Sequence, residues 1–151
     1  MTAARGFDFD VAELTMLSRL GSQDRHPNML IVCSEAARES VTEQAARLGK
    51  PPVHLCELPG PLSLPAACGT LLLSDIGAVQ VSQQLVLYDW MCQNPGSRVV
   101  SITSADLAAL IRDAVFLEGL YYRLNTLRLE VQEQHPPLPA YVSDRSCSLW
   151  S

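Results

Sequence analysis

One short segment of the chain combines a strand-like apolar run with polar residues at its carboxyl end. Residues 70–73 read Thr-Leu-Leu-Leu, and Ser74 and Asp75 follow directly. Open α/β sheets bind ligands at the carboxyl ends of their strands. Nucleoside triphosphatases carry two acids there, one that holds a magnesium ion and one that prepares the attacking water. Because a serine replaces the first acid, the segment has the framework for phosphoryl chemistry but lacks a residue that this chemistry needs.

The same segment is one of five blocks that follow each other in a recognisable order, at residues 29–40, 54–59, 69–79, 98–107 and 116–129. Together they resemble the AAA+ domain of bacterial sigma-54-dependent transcriptional activators. The run Leu-Tyr-Tyr-Arg-Leu-Asn at residues 120–125 is the most specific match. The resemblance implies an α/β fold of the P-loop nucleoside triphosphatase type, a five-stranded parallel sheet with helices on both faces.

The resemblance also locates a phosphate loop at residues 33–40. A working loop has glycines, whose backbone amides wrap the phosphates, and a lysine that reaches the β and γ oxygens. The matching positions here hold Cys33, Ala36 and Arg38 for glycines, Glu39 for the lysine, and then Ser40. Two like charges about 4 Å apart repel by about 4 kcal/mol at an effective dielectric of about 20. We therefore expect the usual nucleotide pose to be lost, unless Arg38 supplies a displaced positive charge.

Three further positions of the family can be compared with this chain. The sensor asparagine of the family is matched by Ser104, whose hydroxyl could orient a water or, more simply, cap the following helix. Of two arginines that reach the nucleotide of a neighbouring subunit, the first is replaced by Leu117 and the second is matched by Arg123. Arg123 could act in trans, or it could pair with Glu118 or Asp113 in its own chain, which is the simpler interpretation.

Two larger parts of the family are absent from the sequence. The family has an insertion with the motif GAFTGA, which contacts sigma-54, between its second and third strands. Here only residues 60–68 join the two blocks, and the motif does not occur. We also expect no helical lid after the fifth strand. We therefore predict a degenerate core at residues 1–131, followed by a Pro-rich tail at residues 132–151.

The hydrophobic pattern predicts the same architecture without the resemblance. Apolar segments of strand length occur at residues 29–32, 53–56, 70–73, 98–103 and 126–131. Helical patterns bounded by caps, glycines and prolines occur at residues 11–20, 35–48, 79–93, 104–114 and 118–124. Short apolar strands that alternate with helices are typical of a parallel sheet covered on both faces.

Composition narrows the functional classes. The net charge of −5 gives no electrostatic support for direct binding of nucleic acid. No apolar run approaches the roughly 20 residues that span a bilayer, so no membrane association is expected. The five cysteines show no CxxC spacing, and the three histidines have no partners at ligand spacing, so no metal site is predicted. Free thiols favour a cytoplasmic location.

Three functional hypotheses remain. The first is a catalytically inactive AAA+ module that needs no cofactor. It would regulate transcription through a protein partner, such as an active AAA+ regulator or another transcription component, as a monomer or small oligomer. The alternative is a weak ATP-binding protein or slow ATPase that uses ATP and magnesium through substituted ligands. A third hypothesis is a small-molecule sensor that uses the old nucleotide cleft.

Overall fold

The structure is a computed structural model, and it describes residues 27–131 of the chain. Its centre is a five-stranded sheet in the order β2-β3-β4-β1-β5. All four neighbouring strand pairs are parallel, as the sequence predicts. The predicted helix at residues 11–20 and the predicted tail at residues 132–151 lie outside the described residues, so the predicted domain boundaries stay predictions.

The elements alternate along the chain. The strands are β1 (Met29–Val32), β2 (Val53–Glu57), β3 (Thr70–Ser74), β4 (Arg98–Thr103) and β5 (Leu127–Glu130). The helices are α1 (Arg38–Leu48), α2 (Val81–Gln93), α3 (Leu107–Arg112) and α4 (Glu118–Leu124). A single turn of 3-10 helix spans Ile76–Ala78. Every residue of β3 and of β4 is buried, because these strands lie inside the sheet and are covered on both faces.

Helices cover both faces of the sheet, which confirms the predicted layers. On one face α1 packs its buried Val41 and Ala45 against a cluster that includes Ile31 and Leu72. The other face holds a larger cluster that includes residues of α2, α3 and α4. Successive strand residues point to opposite faces, so Leu72 belongs to the first cluster and its neighbours Leu71 and Leu73 to the second.

Three predicted helix starts need correction. The helix predicted from residue 35 begins at Arg38, because residues 35–37 form a turn. The helix predicted from residue 79 begins at Val81, after the 3-10 turn. The helix predicted to start at Ser104 begins at Leu107, where the side chain of Asp106 accepts a hydrogen bond from the amide of Ala109 at 3.3 Å. Ser104 is therefore not the helix cap.

The connection between β2 and β3 is short and packs on the second face. Leu62, Leu64 and Cys68 from this connection lie against the larger cluster. The indole nitrogen of Trp90 donates a hydrogen bond to the carbonyl of Pro65 at 2.7 Å. The hydroxyl of Ser97 donates to the carbonyl of Cys68 at 2.6 Å. These contacts hold the connection against the core, so it does not project as a loop.

Within residues 27–131, no helix is both long enough and apolar enough to cross a bilayer.

Candidate functional site

The carboxyl ends of three neighbouring strands bring the predicted site residues together. Cys33 follows β1, Ser74 ends β3, and Ser104 follows β4. The turn at residues 34–37 then leads into α1, whose first residue is Arg38. Parallel sheets bind their ligands at these carboxyl ends of the strands. The structure thus brings together the residues at the predicted phosphate-loop, acidic-pair and sensor positions.

An ion pair within the loop occupies the middle of this site. Arg38 Nη2 lies 2.6 Å from Glu35 Oε2, and Arg38 Nε donates to Glu35 Oε1 at 3.2 Å. Two parallel contacts between a guanidinium and a carboxylate form the bidentate geometry that arginine favours. The Glu35 side chain is 67% exposed and that of Arg38 25% exposed, so the pair lies partly in solvent.

Arg38 also reaches across to the end of β3. Its Nη1 donates to Ser74 Oγ at 3.3 Å, and Ser74 is 4% exposed. Thr42 donates its hydroxyl proton to the carbonyl of Arg38 at 2.7 Å. Because that proton is already used, the 3.3 Å contact between the Thr42 and Ser74 hydroxyls must take its proton from Ser74. Ser74 therefore accepts from Arg38 and donates to Thr42.

Ser104 completes the cluster from the end of β4. Its hydroxyl donates to Glu35 Oε1 at 2.7 Å. Glu35 thus links the loop after β1 to the loop after β4, while Arg38 links it to β3. We call Glu35, Arg38, Thr42, Ser74 and Ser104 the plug, because their side chains join across the site through hydrogen bonds to one another.

Two backbone amides of the loop are also committed to internal bonds. The amide of Ala37 donates to the carbonyl and to the hydroxyl of Ser34, both at 3.1 Å. The amide of Arg38 donates to the carbonyl of Glu35 at 3.3 Å. Amides that turn inward in this way are not directed at an outside anion. Ala36, Glu39 and Ser40 lie nearer the surface, with Ala36 and Glu39 exposed.

The charges of the site follow from these contacts. The hydrogen bonds of Arg38, and then of Ser104, lower the pKa of Glu35 from 4.5 to about 2. The pKa of Arg38 is raised, mainly by the hydrogen bond that it donates to Glu35 and in part by the charge of Asp75. Burial raises the pKa of the Cys33 thiol to about 11, so this thiol stays protonated and is a poor nucleophile at neutral pH.

Asp75 occupies the second position of the acidic pair, and its own backbone conformation is unusual. Its φ of 66° and ψ of 52° lie in the left-handed region, which non-glycine residues rarely adopt. It is partly buried and contributes a favourable charge to Arg38. No group of three or more potential metal ligands exists among residues 27–131.

Arg123 does not join the plug. It lies near the end of α4, and its carbonyl accepts a hydrogen bond from Asn28, which precedes β1. Arg123 therefore lies at the amino-terminal ends of the strands, on the side of the sheet opposite to the plug. The guanidinium carbon lies 5.0 Å from the centre of the Tyr88 ring, a cation–π contact. The predicted pairing with Glu118 or Asp113 is therefore wrong.

Two members of the plug were not among the predicted site residues. Glu35 stands three residues before Arg38, a spacing at which opposite charges can pair, and this was the available signal. No such signal existed in the sequence for Thr42, because a threonine inside a helical pattern has many possible partners. Its contact with Ser74 joins residues 32 positions apart and depends on the fold.

The pKa of Glu35 gives a direct test of the plug. A lowered pKa means that the pairing is complete above the ordinary value of 4.5 and is lost as the pH falls towards about 2. We expect the carboxyl carbon of Glu35 to titrate near the lower value by NMR, and Arg38→Gln to move the midpoint back towards 4.5. Arg47→Gln, on the exposed side of α1, should leave it unchanged. A midpoint near 4.5 in the unmodified chain would show that the plug does not form.

Comparisons with known proteins agree with this geometry. The sequence matches the protein family described as "Sigma-54 interaction domain" over residues 31–134. It is 32% identical to the nitrogen fixation protein VnfA of Azotobacter vinelandii, over 52% of this chain and 17% of that protein. The chain thus spans only about a sixth of this relative.

Solved structures show the same fold. NtrX from Brucella abortus in complex with ADP superposes with a TM-score of 0.60 at 16% identity, covering 80% of this chain and 35% of NtrX. The P-loop NTPase domain of an Escherichia coli sigma-54 activator superposes with a TM-score of 0.55, also at 16% identity. That match covers 82% of this chain and 97% of the domain.

Proposed function

This chain belongs to the sigma-54 interaction domain family, and from that premise we propose that it regulates transcription as a member that does not bind or hydrolyse ATP. The observation that carries the proposal is the plug. The guanidinium of Arg38 bonds to Ser74 and Glu35 at the strand ends where the family binds phosphate and magnesium. A nucleotide in the usual pose would have to displace these side chains.

The electrostatics of the site also support this proposal. Ser74 is neutral and almost fully buried, and it cannot replace the charge of an anionic magnesium ligand. Glu39, at the position of the lysine, repels a phosphate instead of attracting it, by about 4 kcal/mol for charges about 4 Å apart at an effective dielectric of about 20. The guanidinium of Arg38 is bound to Glu35. An incoming phosphate would have to compete with that carboxylate for Arg38.

The alternative is weak nucleotide binding through Arg38 itself. It is favoured by one observation, the side-chain exposure of 25% that leaves part of Arg38 open to solvent. If Glu35 moved away, the guanidinium could meet a phosphate with the same bidentate geometry. This alternative predicts that binding depends on Arg38, whereas the main proposal predicts no binding.

Calorimetric titration with ATP, with and without magnesium, distinguishes the two. We expect no saturable heat at millimolar nucleotide and no turnover in a steady-state assay. Saturable binding that Arg38→Gln removes and Arg47→Gln keeps would favour the alternative. Turnover that Asp75→Ala abolishes would refute the proposal of an inactive module.

Two features guide the choice of a protein partner: one argues against sigma-54, and the other favours a neighbouring subunit. The β2–β3 connection is packed into the core and has no projecting insertion, so we do not expect contact with sigma-54 through the loop that the family uses. Arg123 is exposed at the opposite edge of the sheet, where it could face a neighbouring subunit. We therefore propose an active AAA+ regulator as the partner.

The partner assignment can be tested by pull-down with the full chain as bait. An active AAA+ regulator should be retained, and Arg123→Gln should weaken the retention. Sigma-54 alone should not be retained. Light scattering should show the isolated chain as a monomer or small oligomer. Retention of sigma-54, or a stable hexamer of the isolated chain, would overturn this part of the proposal.

A further inference from the structure

A cavity of about 340 Å³ lies beside the plug, on the face of the sheet covered by α3 and α4. It is lined by Leu30 and Val32 of β1, Thr103 at the end of β4, the segment 104–108, Tyr121 and Arg128. The strand order is β2-β3-β4-β1-β5. From β1 the chain runs to β2 at one side of the sheet, whereas from β4 it passes over β1 to β5 at the other side. The crevice between β1 and β4 is thus the point where the strand order reverses. Open α/β sheets bind their ligands at such a point.

The cavity joins an apolar floor to a small set of hydrogen-bond donors. Leu30 is 1% exposed and Leu107 is 5% exposed, so these two side chains belong to the core. The hydroxyl of Ser104 is used by Glu35, and that of Thr103 donates to the carbonyl of Ala105. These two hydroxyls are therefore committed. The lining combines apolar side chains with polar and charged groups that can orient a ligand, and the volume lies at the small end of small-molecule sites.

Two donors remain available to a ligand. The hydroxyl of Tyr121 accepts a hydrogen bond from Asn125 Nδ2 at 3.1 Å, and its own proton finds no acceptor among the described residues. Arg128 Nε and Nη2 each lie 3.0 Å from Glu130 Oε2, so the guanidinium is already oriented to hold a carboxylate. The Glu130 side chain is 56% exposed and that of Arg128 44% exposed. An exposed pair of this kind is weak. Because Arg128 is more exposed than Arg38 of the plug, 44% against 25%, a ligand can replace Glu130 more easily than a phosphate can replace Glu35.

A carboxylate that also lines the cavity limits the charge of the ligand. Asp106 lines the cavity, and its side chain accepts a single hydrogen bond from the amide of Ala109. Its negative charge disfavours a ligand with several negative charges, such as a free phosphate or a nucleotide. A ligand with a single carboxylate, bound by Arg128, carries less of this repulsion because it has only one negative charge. The apolar part of such a ligand would then lie on Leu30, Val32 and Leu107.

We propose that this cavity binds a small monocarboxylate with an apolar body, held by Arg128 and Tyr121. The site goes beyond the proposed function and does not depend on it, because none of these contacts involves the phosphate-loop positions. Loss or presence of ATP binding therefore leaves this proposal unchanged. A bound carboxylate would connect β1, α3, α4 and β5, and so it would stabilise the folded chain by mass action.

Benzoate is a suitable probe, with benzamide as its neutral analogue, and both are titrated into the full chain under methyl-detected NMR. We expect benzoate to bind with a Kd on the order of 1 mM, as befits so small a ligand. The methyl signals of Leu30, Val32 and Leu107 should shift. Arg128→Gln should weaken binding by roughly tenfold or more, because a charge-assisted bond is lost. Tyr121→Phe should weaken it by a smaller factor.

Arg112→Gln is the matched control, because Arg112 is exposed on α3 and does not line the cavity. It should leave the benzoate affinity unchanged. Benzamide and inorganic phosphate should bind at least several-fold more weakly than benzoate. The absence of benzoate binding, methyl shifts confined to other regions, or equal affinity in Arg128→Gln would each overturn the proposal. Equal affinity for benzamide would overturn the carboxylate assignment in the same way.

Discussion

Restoring the family residues at the phosphate loop is expected to give this chain a measurable affinity for magnesium ATP. The variant carries Cys33→Gly, Ala36→Gly, Arg38→Gly, Glu39→Lys and Ser74→Asp. Removing the Arg38 side chain takes the guanidinium away from Ser74 and breaks its pair with Glu35. The glycines free the backbone to wrap phosphates, and the new aspartate can hold magnesium.

The charge change at residue 39 should contribute most of this effect. Removing one repulsion of about 4 kcal/mol corresponds to about a thousandfold in affinity, before any attraction from the lysine is counted. Each new glycine costs roughly 0.5–1 kcal/mol of folding stability, which leaves the affinity unchanged as long as the variant stays folded. We therefore expect at least about a hundredfold tighter binding of magnesium ATP than in the parent chain, measured by calorimetry.

The matched control keeps the other four substitutions but carries Glu39→Gln. It removes the repulsion without adding attraction, so its affinity should lie between those of the parent and the full variant. Circular dichroism and thermal melting must show that both variants are folded. A folded full variant that binds no better than the parent would show that the plug and Glu39 are not what prevents binding.

The fold could be predicted because its strands are short and apolar. The run Leu71 to Leu73 has no polar interruption, and the structure places it in an interior strand buried on both faces. The helix starts were predicted less well. Residues 35–37 fit a helical pattern, yet they form a turn that the Ser34 hydroxyl and the Glu35–Arg38 pair stabilise. Side-chain bonds to the local backbone compete with helix in this way.

The site could be located from the sequence, but its contacts could not. Family resemblance identified the strand ends and the positions of Arg38, Ser74 and Ser104. The bond between Arg38 and Ser74 joins residues 36 positions apart, and only the folded sheet brings them within 3.3 Å. Ser104 was interpreted as a cap because it begins a helical pattern, whereas its hydroxyl serves Glu35. Arg123 packs on the ring of Tyr88, 35 residues away in the sequence, and the spacing of charged residues could not predict this contact.

The side chain of Gln84 stabilises the fold through buried hydrogen bonds, which hydrophobic patterning does not detect. It lies in α2, it is 0% exposed, and its amide joins three backbone groups. Nε2 donates to the carbonyl of Val115 at 2.9 Å and to that of Val79 at 3.3 Å, while Oε1 accepts from the amide of Leu117 at 2.7 Å. Gln84 therefore fixes the segment between α3 and α4 onto α2. Removing it would leave buried backbone groups without partners.

Gln84→Ala is expected to lower the free energy of unfolding by about 3 kcal/mol, since each buried group left unpaired costs about 1–3 kcal/mol. For a chain of this size the midpoint of thermal melting should fall by about 10 °C. Gln93→Ala, at the exposed end of α2, should change the midpoint little. Gln84→Met keeps most of the side-chain volume but offers no bond to Val115 or Leu117, so it separates packing from hydrogen bonding. We expect it to lose most of the same stability. A Gln84→Met variant as stable as the unmodified chain would mean that these hydrogen bonds do not hold α2 and the α3–α4 segment together.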